Sequence, residues 1–211
     1  MSLKCAQRGV SLMELLAATL LGVMALSIVG AIFISGQKLA TQRSKQLLLI
    51  QNLASAALQI KQDLQRAGYD PTAASPVSLT SSSHIVHLES SPSALGYVYR
   101  IATTGQEVFR TVVVKHHLSL DAAVGHGLLL CEKQLTGSVS FYHASLSGWN
   151  GHCFNLFNPE QISVTEFSVT DAAIVGEGAE NQSITIRLSG RLMTDPTIAH
   201  QLELTTLLRN F

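Results

Sequence analysis

The feature that most constrains this chain is an apolar run near its N-terminus. The segment Val10–Ile34 holds 25 residues, of which only Glu14 is charged. About 20 mostly apolar residues are enough to span a bilayer as a helix. The run is longer than the roughly 7 to 15 apolar residues of a cleaved secretory signal, and no Ala-x-Ala site follows it. It also lacks the polar stripe of a helix on a globular core. The sequence therefore predicts a membrane-spanning helix, although positive charges on both sides of the run leave its orientation open.

The charge balance and the motif content exclude several classes of function. The chain carries 14 Lys plus Arg and 14 Asp plus Glu, so its formal net charge is zero. A nucleic-acid binder usually shows a basic stripe, and none is expected here. We find no Gly-x-Ser-x-Gly elbow, no phosphate loop and no His-Glu-x-x-His motif. The eight histidines show no zinc-ligand spacing. The sequence predicts a protein that is not an enzyme and that holds no metal and no cofactor.

Beyond the apolar run the helix is expected to continue as an amphipathic segment to about Ala67. Gly68 is a natural helix terminator, and Pro71 follows soon after it. Apolar residues recur at spacings of three or four, which places them on one helical face that must be buried. The predicted stripe consists of Leu47, Ile50, Leu53, Ala57, Ile60, Leu64 and Ala67.

The second part of the chain has the pattern of short strands. Residues 70–83 are rich in Pro, Ser and Thr, and are expected to form a loop. Apolar and polar residues then alternate in short runs that Gly, Ser, Asn and Pro separate. An antiparallel sheet over the apolar stripe of the helix gives an α+β fold. The predicted strands are 84–89, 95–102, 107–115, 127–131, 138–143, 162–169, 183–193 and 201–208.

Residues 8–15 (RGVSLMEL) place a basic residue and a glycine before the apolar run, with a glutamate at the fifth position after the glycine. This resembles the class III signal of type IV prepilins and pseudopilins. The resemblance implies that prepilin peptidase cuts after Gly9 and then N-methylates Val10, where most family members have Phe. It also implies that Glu14 is the family's fifth-position glutamate. A carboxylate in a bilayer is costly, and the new α-amine of a neighbouring subunit is a suitable partner for it in an assembling fibre.

The resemblance also implies an orientation and a division of the chain. Residues 1–9 would be the leader on the cytoplasmic side, and 10–35 the transmembrane half of the helix. Residues 36–69 would be its amphipathic half, and 70–211 a β-rich periplasmic head. The chain would thus be a single-pass inner-membrane protein with the pilin-like α+β fold, found in the filament or at its tip after assembly.

A second resemblance narrows the group. The stretch Leu58–Tyr69 is similar to the end of the long helix in PilW-type minor pilins, the prepilin-peptidase-dependent protein B group, and the ending Thr205–Asn210 is similar to that group's last strand. The matching helix residues are Asp63, Leu64, Arg66, Ala67, Gly68 and Tyr69.

The resemblance implies a minor pilin that helps to initiate or cap a type IV pilus. Its partners would be other minor pilins, the major pilin, prepilin peptidase, the inner-membrane assembly platform and membrane lipid. Two alternatives stay open, namely a J-type pseudopilin of a type II secretion system and a non-polymerising, membrane-anchored periplasmic binding domain.

Two further sets of residues bear on this interpretation. Cys5 lies in the leader, so Cys131 and Cys153 would remain in an oxidising compartment as a candidate disulfide, the alternative being two free thiols. The acidic stretch Gly176–Asn181 is expected to be a solvated turn between strands rather than a calcium site.

Overall fold

The computed structural model describes residues 11–80, 82–102, 107–121, 123–148, 151–176 and 179–208. The chain divides into two compact units, 1–45 and 46–211. The helices are α1 (Leu12–Leu64) and α2 (Phe141–Ser145). The strands are β1 (Val86–Ser90), β2 (Ser93–Ala102), β3 (Val108–His117), β4 (Gly127–Leu135), β5 (Gly151–Asn155), β6 (Ile162–Gly176), β7 (Ala179–Leu192) and β8 (Ala199–Leu207).

The first unit contributes the beginning of α1. One 18-residue window of this helix has a mean hydropathy of 2.4, and none of that window is buried. The large apolar side chains of this part are exposed, as Leu26 and Ile32 illustrate at 73% and 67%. Such a surface is unfavourable in water, because apolar area is driven out of contact with it. By length and composition the helix can cross a membrane, and it is consistent with a membrane anchor.

In the second unit, the last turns of α1 bury one face. Leu53, Ile60 and Leu64 are inaccessible or nearly so, as the predicted stripe requires. The first part of that stripe was wrong, because Leu47 and Ile50 are 56% and 37% exposed. The buried face instead begins at Leu49, and Ala56 joins it next to Ala57. The helix ends at Leu64, and a turn carries the chain to the left-handed Gly68, whose φ is 78°.

Two antiparallel sheets and the short helix α2 follow in this unit. One sheet has five strands in the order β1-β2-β3-β4-β5, and the other has three in the order β6-β7-β8. One apolar core contains side chains from α1 and from both sheets. Where β6 begins, Val164 N donates to His126 O at 2.8 Å, and the ring Nε2 of the half-buried His116 lies 3.1 Å from Val164 O. These contacts join the two sheets. The shared core and the strand pairing confirm the predicted α+β architecture of a helix packed on antiparallel sheets.

Apart from shifted ends, such as those of β6 at Gly176 and of β7 at Ala179, two segments differ from the predicted strands. Residues 138–143 were predicted to be a strand, but Phe141–Ser145 is the short helix α2, with Ser140 at its N-cap. Serine is a favoured N-cap residue, and this local signal prevails over the alternating pattern. The strand β5 was not predicted, because its five residues lie in a stretch with weak strand signals. It pairs with β4 from Leu129↔Asn155 to Lys133↔Gly151.

Candidate functional site

The first candidate site is the start of α1, where Glu14 lies in the first turn and is exposed. Two hydroxyl groups of this segment are satisfied within the helix. Thr19 Oγ1 donates to Leu16 O at 2.9 Å, and Ser27 Oγ donates to Val23 O at 2.8 Å. The carboxylate of Glu14, in contrast, has no hydrogen bond or ion pair with the residues that the structure describes. Gly9 and Val10, the predicted cleavage and methylation positions, lie outside those residues.

The second candidate site is the junction of α1 with the five-stranded sheet, centred on Asp63. Tyr97 Oη donates to Asp63 Oδ2 at 2.8 Å, and Tyr99 Oη donates to Oδ1 at 2.7 Å. Arg110 donates to Tyr99 Oη at 2.7 Å, and its Nη1 lies 3.4 Å from Asp63 Oδ1. Its Nη2 donates to Glu132 Oε2 at 2.7 Å. One carboxylate thus connects the helix to β2 and β3, and through Arg110 to β4.

The electrostatics of this junction keep its hydroxyl groups as donors. Burial raises the pKa of Tyr97 well above its ordinary value, and the charge of Asp63 raises it further. The pKa of Tyr99 is raised by burial and by the hydrogen bond to Asp63. Burial alone would lower the pKa of Arg110, but Asp63 and Glu132 hold it above its ordinary value. Both tyrosines therefore stay protonated, and the arginine stays charged.

The chain that follows α1 extends the edge of β2. The pairing of β1 with β2 stops at Val86↔Tyr97. Beyond that point Gly68 N donates to Val98 O at 2.9 Å, and Arg100 N donates to Tyr69 O at 2.8 Å. The left-handed φ of Gly68 turns the backbone into this position, and a side chain there would be strained. The segment Leu64–Tyr69 therefore fixes the end of the helix to the sheet.

A buried arginine holds the loop after this segment. Arg100 donates to Asp70 Oδ1 at 3.0 Å and to Glu107 Oε1 at 3.1 Å, and it also contacts Thr72. The backbone N–H of Thr72 and the Arg100 guanidinium both lower the pKa of Asp70. The charge of Asp70 is thus matched inside the fold, as is that of Asp63.

The two cysteines lie opposite each other on β4 and β5 and form a disulfide with an S–S distance of 1.97 Å. Both sulfur atoms face α2, at 3.4 and 3.5 Å from the carbonyl oxygen of Ser145. Cys131 is buried in a small apolar cluster with Val113 and Ala144. The disulfide closes the loop between β4 and β5. This loop contains α2 and also Trp149, which lies outside the described residues.

The acidic stretch Gly176–Asn181 lies at the end of the β6–β7 hairpin, where Gly176 pairs with Ala179. Glu177 and Gly178 are outside the described residues, and the side chain of Glu180 is not described either. The predicted turn was too long, because residues 179–181 belong to β7 and pair with residues 174–176 of β6. The expectation that it binds no calcium stays a prediction.

The contacts of Asp63 were not predicted from the sequence, where this residue stood out only in the resemblance of the helix end. The sequence signal for this contact was the pair Tyr97 and Tyr99 on one face of β2. Two tyrosines two residues apart in a strand point to the same side of the sheet. A carboxylate at the edge of the helix stripe is a suitable acceptor for both hydroxyls, but the pairing needs the register of helix and sheet.

Comparison with known proteins gives one match. The family model of prepilin peptidase-dependent protein B matches residues 42–208, which is most of the chain and includes the Asp63 junction. No curated protein and no solved structure matches it. The matched range begins after Glu14, so the family is assigned by the end of α1 and the β-rich part. The chain belongs to the family of prepilin peptidase-dependent protein B, and is a pilin-like protein that depends on prepilin peptidase.

Proposed function

We propose that this chain is a minor pilin that helps to initiate or cap the assembly of a type IV pilus. Membership of the prepilin peptidase-dependent protein B family supports a role in a pilus-related system. The observation that carries the proposal is the exposed apolar start of α1, whose single carboxylate has no partner among the described residues. In a membrane-anchored chain this surface is in lipid before assembly and against other subunits afterwards.

Glu14 provides the assembly contact in this proposal. A charged side chain at the bilayer centre costs about 2.5 to 3.5 kcal/mol on insertion scales, which is an upper bound for Glu14 in the first turn of α1. The free α-amine of a processed neighbouring subunit, held in the same apolar medium, compensates that charge. Docking of a subunit then satisfies both groups at once. The partners are the major pilin and other minor pilins, on the inner-membrane assembly platform, with the β-rich head on the periplasmic side.

Processing is the first requirement of the proposal. Prepilin peptidase is expected to cleave after Gly9 and to methylate the amine of Val10. The intact mass of the membrane-extracted protein should equal that of residues 10–211 plus one methyl group. A protein that keeps Met1, or that is cut after the apolar run, would rule out a role in the filament.

Deletion of the gene tests the role itself. Surface pili should be sharply reduced, while the major pilin stays in the membrane at a near-normal level. Complementation with the wild-type gene should restore pili, and complementation with Glu14→Ala should not. Normal piliation combined with lost export of a folded enzyme would instead identify a J-type pseudopilin. Normal piliation and normal export would favour a non-polymerising, membrane-anchored domain.

A further inference from the structure

A cavity of about 260 Å³ lies on the face of the five-stranded sheet that carries α2. Three segments meet there, namely the loop around Thr80, the strand β1 and the helix α2. The loop is fixed to the start of α2, because Thr80 N donates to Val139 O at 3.0 Å and Ser138 Oγ donates to Ser78 O at 2.5 Å. Two of the three segments that form the cavity are therefore bonded to each other.

An aromatic wall lines this cavity. Phe141 lies over Gly96 of β2, where a Cβ atom would come within 2.7 Å of the ring carbon Cδ2. The glycine thus makes room for the ring, which also lies 4.6 Å from the imidazole of His87 between centroids. Beside it the side chain of Tyr142 is 67% exposed. Exposed aromatic rings of this kind provide a large, rigid contact area.

Polar groups lie on the side of the cavity that β1 forms. His87 Nε2 and Glu89 Oε1 are 3.7 Å apart, which is longer than a hydrogen bond. Each can therefore bond to a hydroxyl group of a ligand, the carboxylate as acceptor and the imidazole as donor or acceptor. Both side chains are partly exposed, at 32% and 42%.

We propose that this cavity between β1, α2 and the Thr80 loop binds one neutral sugar ring. A pyranose has an apolar C–H face that packs on an aromatic ring, and hydroxyl groups at its edge that bond to a carboxylate and an imidazole. The volume is slightly below the roughly 300 to 1,000 Å³ of sites for larger ligands. A single ring fits this size, whereas a whole lipid chain does not. The site is independent of the assembly role, since Glu14 takes no part in it.

The test uses the full-length protein in micelles of a detergent without a sugar headgroup, such as lauryldimethylamine oxide. Saturation-transfer NMR is recorded with methyl glycosides of glucose, galactose, mannose and N-acetylglucosamine, one at a time. We expect at least one glycoside to receive saturation from the protein, with millimolar affinity. Tyr142→Ala and Glu89→Ala should each weaken that binding about tenfold or more.

Two matched variants control for non-specific effects. Tyr69→Ala removes another exposed tyrosine, and Glu160→Ala removes another exposed carboxylate, both outside the cavity. Both should bind the glycoside as the wild type does, and near-UV circular dichroism should show that all four variants are folded. Equal binding by the wild type and Tyr142→Ala would overturn the proposal, as would the absence of binding to every glycoside. Glu89-dependent binding of methylammonium without sugar binding would also overturn it, in favour of a basic side chain.

Discussion

The helix α1 carries two carboxylates that lie in opposite environments. Asp63, in the second unit, accepts hydrogen bonds from two tyrosines and lies near an arginine. Glu14, in the first unit, lies on an exposed apolar surface and has no partner among the described residues. A carboxylate that is paired with donors inside the fold stabilises that fold. A carboxylate without a partner in an apolar setting is costly until a group from another molecule pairs with it. We infer that Asp63 serves the stability of the head, and we propose that Glu14 serves assembly.

Removing the two carboxylates one at a time should give the largest contrast. Asp63→Ala leaves the buried hydroxyl of Tyr97 without its acceptor and Arg110 with only one carboxylate. We expect it to lower the free energy of unfolding by about 4 kcal/mol. Glu14→Ala should leave that free energy unchanged. Urea unfolding of the micelle-bound protein, followed by near-UV circular dichroism, measures both.

A third variant controls for the loss of any acidic side chain. Glu203→Ala breaks the exposed pair with Arg187 on the three-stranded sheet, and exposed pairs contribute little to stability. Its unfolding curve should coincide with that of the wild type. If Asp63→Ala also coincided with the wild type, the junction would not stabilise the head, and the comparison would fail.

The disulfide is a second internal constraint of the head, and it should have the next largest effect. The Cys131→Ser/Cys153→Ser double variant should lose about 3 kcal/mol in the chain-entropy model. Alkylation of the denatured, non-reduced protein should label neither cysteine. Chains that keep the leader carry Cys5, which should be labelled and so verifies the reaction. Labelling of Cys131 and Cys153 in processed chains would show that packing alone holds β5.

Alkaline pH should weaken the Asp63 junction. The pKa of Tyr97 is raised in the folded state, so the native protein keeps a proton that the unfolded chain loses above about pH 10. Stability is therefore fully present below that pH and falls as the pH rises, by about 1.4 kcal/mol per pH unit for one such group. Tyr97→Phe should flatten this decline between pH 10 and 11. An equally steep decline in Tyr97→Phe would show that other groups cause it.

Much of this architecture could be predicted from the sequence, because local patterns determine it. The apolar run predicted the exposed part of α1, and Gly68 predicted the left-handed turn after the helix. Periodicity placed Leu53, Ile60 and Leu64 in the core correctly. It failed at Leu47 and Ile50, because a helix with leucine or isoleucine at four successive positions from 47 to 50 offers several apolar faces. Only contact with the sheets selects Leu49.

The remaining features depend on contacts between distant parts of the chain. Asp63 is 34 residues from Tyr97 and 47 from Arg110, and no local pattern connects them. The strand β5 is held by its register with β4 and by the disulfide rather than by its own propensity. For Glu14, by contrast, the sequence motif remains the source of the assignment, since the family match begins at residue 42.

The central claim is that Glu14 is matched by another subunit. Its direct test is co-purification from detergent-extracted membranes of this chain with an affinity-tagged second pilin subunit. Glu14→Ala and Glu14→Gln should both reduce the recovered complex at least tenfold, about 1.4 kcal/mol, while near-UV circular dichroism shows an intact head. Gln59→Ala, at an exposed position of the same helix, should leave recovery unchanged. Recovery of Glu14→Ala at the wild-type level would contradict the account.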